Sequence, residues 1–360
     1  MAATPDPPPP TERSSAPRRW WKSPLLLLLL LTPGIPEYLT GSSSITALFL
    51  NPAGFALQFG LNAALYTAGA LLIREAVIRW GKGWGSVLLL GAAYGIVEEG
   101  LAVHTFFQAG GNPVGILGAY GRLFGVNWVW VSGLTVFHAV YSIALPLLIL
   151  GLVYPETTGR PLLARRGLTV AAVAYLADVV LLSAIVPSHP NLGQTAFFLG
   201  VIGLLVLLAY RLPANFLAPR PGPSRTSARR LGLLGSGWFL LWILAGSFLP
   251  FTRLPAVADA AILGAGELGI LFVLWRGVGA VEAEWSALAF ATGLIAVLVP
   301  WELLLVVQSD PLALVLGIVS VVALVRLRRP VGARTFGRTG GPPVAGPSPP
   351  PGAVDPGWAG

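Results

Sequence analysis

The chain has 360 residues, 55% of them hydrophobic and 11% charged, with a mean hydropathy of +0.75. A soluble globule carries roughly 25% charged residues, so this composition excludes one and marks a polytopic membrane protein. There is no cysteine, which removes disulfides, thiolate metal sites and cysteine nucleophiles. The net charge of +8 comes from basic residues at the ends of apolar runs, a topology signal rather than a nucleic-acid footprint.

Residues 1–19 are rich in Pro and Ser and read as a disordered tail, and so does the Pro/Gly-rich stretch 330–360. Between them, apolar runs at 21–36, 55–78, 84–107, 126–153, 166–187, 194–211, 231–250, 254–275, 285–308 and 310–327 predict about ten membrane helices. The first run is the shortest in character: its unbroken leucine core at 25–31 meets Thr32-Pro33-Gly34. It reads as a retained anchor or as the apolar region of a signal peptide, and the absence of a following small-residue cleavage site favours the anchor. The longest polar break, the basic linker 212–230, divides a six-helix sub-bundle (20–211) from a four-helix one (231–329). The expected fold class is therefore all-α, a multi-pass helix bundle in the cell membrane, with the lipid bilayer as its first partner.

The basic residues test this map, because Lys and Arg collect in short cytoplasmic loops. With both termini cytoplasmic, 21 of the 23 fall inside and only Arg122 and Arg253 outside. Trp20, Trp21, Trp80, Trp84, Trp128, Trp130, Trp285 and Trp301 lie at or near span ends, as interfacial indoles do.

An ionisable group at the centre of a span costs on the order of 2.5 to 3.5 kcal/mol on insertion scales, so each one invites a functional reading. Glu98 and Glu99 are adjacent in the third span, with no basic residue within a helical turn. Two like charges in a low dielectric do not both ionise unless a proton, a metal ion or an imidazolium neutralises them. That is the electrostatics of a general base, and equally of a hydrogen-bonded pair joining helices. His138 lies in the fourth span and Asp178 in the fifth. At 1.5 Å rise per residue, Glu98 is roughly 13 Å, His138 roughly 18 Å and Asp178 roughly 13 Å from the outer ends of their spans, a shared level. His104 sits nearer the surface, five residues beyond Glu99 and off its face, and His189 is in an outer loop. Glu75 and Arg79, at i and i+4 beside Arg74, read as a solvated or snorkelling ion pair. Asp259, Glu267 and Glu302, in the four-helix half, have no basic or imidazole neighbour in sequence. Phosphate-loop, zinc-protease and serine-hydrolase signatures are missing from the chain.

Over about residues 70 to 190, Glu98-Glu99 followed some forty positions later by Phe137-His138 resembles the superfamily of CAAX prenyl proteases and bacteriocin-processing or abortive-infection membrane proteins. Its members are intramembrane peptidases, metal-dependent or glutamate-based, in which a glutamate activates water. Glu98 and Glu99 match the paired glutamates and His138 the histidine of the second motif. The arginine that closes the first motif falls at Val103, beside His104, and the phenylalanine of the second at Leu134. The third histidine has His189 with Asn191 as its match, or Asp178 as a substitute. The resemblance implies an intramembrane hydrolase with Glu98, Glu99, His138 and Asp178 as catalytic residues. It further implies Glu98, Glu99, His104 and His138 as ligands of a divalent metal such as zinc, and a membrane-anchored peptide as substrate. An ion- or proton-coupled transporter using the same carboxylates, or a non-catalytic protein with a degenerate core, are the competing readings.

Overall fold

Inside a bilayer no water satisfies backbone N–H and C=O groups, so apolar runs must close their hydrogen bonds internally as helix. The computed structural model describes residues 23–111, 115–186, 188–252, 254–307 and 310–337, and is almost entirely helical. In chain order the helices are α1 (Pro24–Leu39), α2 (Pro52–Arg79), α3 (Trp84–Ala102), α4 (Trp128–Val153), α5 (Arg165–Ile185), α6 (Leu192–Arg211), α7 (Ala228–Phe251), α8 (Ala256–Gly277), α9 (Ala280–Val307) and α10 (Pro311–Phe336). The nine from α2 to α10 are long and apolar enough to cross a membrane, and α1 is a shorter apolar helix. The expected tail residues 1–19, with Trp20 and Trp21, and the last part of the C-terminal tail lie outside the described residues.

Local sequence explains the helix limits. Asn51 caps α2 by accepting from Gly54 N (3.1 Å), with Pro52 at the first helical position. Asn191 and Gln194 form a reciprocal capping box at the start of α6. The break in α9 at Val297 lies three residues before Pro300, whose ring crowds the preceding turn. One hairpin, β1 (Arg122–Leu123) paired with β2 (Val126–Asn127), turns through Phe124 and Gly125, both at positive φ as a two-residue turn of this hand requires.

Burial separates central from peripheral helices. In α3 72% of the apolar window is buried and in α4 61%, against 11% in α5, α6 and α8. The side chains α5 turns outward are apolar (Val170, Val173, Leu176, Val180), as a lipid-facing surface demands. The largest core runs through both halves of the chain: Phe137 and Tyr141 of α4 pack on Trp238, Phe239 and Trp242 of α7, and Tyr141 Oη donates to the Leu294 carbonyl of α9 (2.9 Å). Small residues bring α7 against α9, where a Cβ on Gly293 would strike the Gly232 carbonyl.

The basic loops converge on one end of the bundle. Lys82 Nζ donates to the Leu212 carbonyl (3.0 Å), Arg79 to that of Leu163 (2.8 Å), and Arg334 to Glu284 (2.8 Å) and to the Leu152 carbonyl (2.9 Å). The linker is laid along the α8–α9 turn by Arg220 N to Val278 O (3.1 Å) and Ala280 N to Arg220 O (2.7 Å). The positive-inside rule predicts that this end is cytoplasmic, so reporter fusions at 154–165 and 212–229 should read cytoplasmic and those at 109–125 and 188–193 external. Reversed reporters at both pairs would overturn the orientation.

Two expectations change. Glu75 is no solvated pair: it is 0% exposed and accepts from Arg74 (3.1 Å), from Arg79 and from Leu162 N (2.7 Å). Arg74 in turn donates to the carbonyls of Thr157 (2.6 Å) and Arg160 (3.0 Å), so the cluster clasps the α4–α5 loop to α2. And α10 continues past Pro330 to Phe336, with Val331 and Thr335 buried, so residues 330–336 of the expected tail are helix.

Candidate functional site

Four stretches of the bundle widen from α- to π-helix: 34–39 in α1, 63–67 in α2, 97–102 in α3 and 138–144 in α4. They carry Glu37, Tyr66, Glu98 with Glu99, and His138, respectively. Two have a cause in sequence. Pro33 and Pro36 interrupt α1, and Pro146 cannot donate one turn back into α4, so a wider turn ahead of it makes room for its ring. A wider turn also narrows the angle between successive side chains. In α3 this lets both adjacent glutamates reach the same imidazole.

His138 stands between them. Its Nε2 is 2.9 Å from Glu99 Oε1, and its Nδ1 is 2.9 Å from Ser142 Oγ and 3.1 Å from Glu98 Oε2. The contact to Glu98 is close but out of line for a hydrogen bond, which leaves Glu98 Oε2 buried without a donor. The other oxygen of Glu98 meets the Tyr66 hydroxyl, which also meets Glu37. A phenol has one proton to give, so it donates to one of these two carboxyls at a time. Ser43 Oγ donates to Glu37 Oε2 (2.6 Å) and accepts from Gln58 (2.8 Å). On the far side, Thr105 donates to Glu99 Oε2 and accepts from Trp130 Nε1 (3.0 Å). The three central side chains are 3%, 7% and 3% exposed for Glu98, Glu99 and His138, and the rings of Tyr66, Tyr94 and Phe137 surround the imidazole.

Close helix approach makes this possible. A Cβ on Gly95 would lie 2.9 Å from His138 Cβ, and one on Gly91 would lie 2.9 Å from Ala139 Cα. Gly95→Ala should therefore cost about 1 to 3 kcal/mol by overpacking and push His138 off Glu99. Gly60→Ala, in open space, serves as the control. Thermal unfolding in detergent reads the difference, and equal stability of the two variants would contradict the close approach.

Glu98, Glu99 and His138 form the one group among the described residues in which three metal-ligating side chains bring donor atoms within 4.8 Å of one another. Asp178 is not in it. It is 4% exposed with neither oxygen hydrogen-bonded, and its helix neighbour Tyr175 packs at a tilt against Tyr94, which borders His138. His104 is not in it either: α3 ends at Ala102, earlier than the expected 107, and His104 turns the chain in the left-handed region (φ 57°). Burial holds its pKa below the ordinary histidine value, against the pull of backbone acceptors at Ser188 and Leu101. Asp259 and Glu302 are 0% exposed and lack hydrogen-bond donors, apart from this group.

Sequence reasoning missed Glu37, Tyr66 and Thr105. Glu37 follows Pro36, which reads as the end of the first span, and only the continuation of α1 to Leu39 brings it inside. Residues 26–336 match the model of an uncharacterized membrane protein family, a match reaching from within α1 to the end of α10. No curated protein and no solved structure matches the chain.

Proposed function

We infer that this chain, which belongs to that uncharacterized membrane protein family, works as an intramembrane hydrolase in which Glu98, Glu99 and His138 activate water. The observation that carries the reading is the imidazole held with one nitrogen against each of two adjacent buried carboxyl groups. Glu99 is the better placed base. Thr105 fixes its outer oxygen, and His138 Nε2 lies at the inner one, ready to stabilise or relay the proton it gains. Tyr66 and Glu37 hold Glu98 from behind.

The donor set also suits zinc, whose ligands are imidazole nitrogen and carboxylate oxygen, and Glu98 Oε2 is a buried acceptor with nothing donating to it. When bound, such an ion polarises a carbonyl and acidifies water. Asp178 and His104 fall outside the donor group, and no part in water activation is proposed for them.

The resemblance to the CAAX prenyl protease superfamily rests on Glu98, Glu99 and His138, and it points to a membrane-anchored peptide as substrate. Glu98 lies about 21 Å along α3 from its basic end and about 6 Å from its other end, so the substrate reaches the centre from the half remote from the basic loops. Transport is the weaker reading, because beyond Tyr94 and Ser142 the buried residues toward the basic end are largely apolar, among them Leu90, Ile143, Leu147 and Leu150. Chelator-stripped protein titrated with Zn²⁺ tests the centre. The expected result is a tightly held ion at this centre that is lost in Glu99→Gln and in His138→Ala. Stripped wild type that takes up no zinc, together with intact membrane-anchored peptides after incubation, would overturn the reading.

A further inference from the structure

The chain has three histidines, and the two outside the glutamate centre meet each other. His104 follows α3, His189 lies in the loop between α5 and α6, and their ring centroids are 5.3 Å apart at an interplanar angle of 69°. Nothing in the hydrolase reading uses this pair.

The hydrogen bonds of His104 favour one tautomer. Its Nε2 is 3.0 Å from the Leu101 carbonyl, which can only accept, and 3.2 Å from Ser183 Oγ; the tautomer with the proton on Nε2 satisfies that carbonyl. Nδ1 is then a bare lone pair. It is buried, in a residue 2% exposed, and has no hydrogen-bond partner. A ring N–H tied to a backbone carbonyl, with the other nitrogen left free, is the outer-shell arrangement of a metal-ligating histidine.

The ring spacing agrees with that. At a zinc-type metal–nitrogen distance of ~2.05 Å, the ion is ~3.2 Å from each ring centre, and a tetrahedral angle then sets the two centres ~5.2 Å apart. His189 is exposed on its loop, where its ring is free to turn a nitrogen to the shared point.

We propose that His104 Nδ1 and a ring nitrogen of His189 bind one divalent transition-metal ion of the zinc, nickel or copper class at the end of the bundle away from the basic loops. Water and the Ser188 loop complete its coordination. The ion staples the turn after α3 to the α5–α6 loop, and because both ligands are neutral imidazoles, binding is lost on acidification.

The probe is Cu²⁺, added to the untagged, chelator-stripped full-length protein in detergent and read by electron paramagnetic resonance and calorimetric titration. The expected result is a site showing hyperfine splitting from two imidazole nitrogens, weakened at least tenfold in His189→Ala and in His104→Ala and unchanged in His138→Ala. His189 is exposed, so its variant keeps the proposal testable even where His104→Ala fails to fold. Wild-type copper affinity in His189→Ala, or a signal abolished by His138→Ala instead, would overturn the proposal and leave the glutamate centre untouched. A His104–His189 pair that takes up protons but not copper would overturn it equally.

Discussion

Glu99→Gln and His138→Ala should each lower hydrolysis of a membrane-anchored peptide by about 10²- to 10⁴-fold, the range lost when a positioned acid or base is removed. Gln keeps the size of Glu99 and its acceptance from Thr105, but it cannot take a proton from water. Removing His138 strips both carboxyls of their shared neighbour. Glu98→Gln should fall in the same range if Glu98 Oε2 is a working ligand, and stay nearer wild type if Glu98 only steadies Tyr66. Stability distinguishes catalysis from adhesion. A functional carboxylate contributes little to the fold around it, so the two Gln variants should unfold near the wild-type temperature. A pair that merely joins helices would lose about 0.6 to 2 kcal/mol per variant, with activity falling only in step with folded protein. That pattern would sink the hydrolase reading.

The largest loss of stability should come from elsewhere. Glu75→Ala removes the acceptor of Arg74, Arg79 and the Leu162 amide at once and leaves the Arg74 guanidinium, 7% exposed, without a counter-charge. Breaking one side of a buried ion pair costs about 3 to 5 kcal/mol, and the α4–α5 loop should loosen with it. Arg79 is 35% exposed on its side chain, so its share is small and most of the effect belongs to Arg74. Glu156→Ala, on an exposed position of the same loop, should change little. Chemical unfolding in detergent compares the two; a Glu75→Ala loss below about 1 kcal/mol would mean that the clasp is water-filled in solution.

Much of this architecture is legible from the chain alone because a bilayer leaves few choices. Apolar runs must become helices, and the end where Arg and Lys gather is the end where Lys82, Arg79, Arg220 and Arg334 fasten the loops together. Glu98, Glu99 and His138 stand out because charge in such runs is costly. What the sequence conceals is register. An extra residue per turn at 97–102 or 138–144 changes which side chains face one another, and no residue type announces it where proline is missing, as in α2 and α3. The same blindness puts Glu37 outside the first span, since Pro36 looks like a stop. A proline need not stop a helix that packs on its neighbours: Pro330 sits inside α10, and one turn on Arg334 is held by Glu284 and the Leu152 carbonyl. His104 shows the reverse case. A helical third span to residue 107 would point it along α3, whereas the left-handed turn there sends it to His189.

Water activation by Glu99 and His138 is tested most directly by the origin of the oxygen in the product. Wild-type protein reconstituted in vesicles with a library of membrane-anchored peptides, in water enriched in the heavy oxygen isotope, should release fragments carrying one heavy oxygen at the new carboxyl end, and Glu99→Gln vesicles should release them at least about a hundredfold more slowly. Fragments from the Glu99→Gln protein at the wild-type rate, or no fragments from wild type with the centre intact and zinc supplied, would contradict the account.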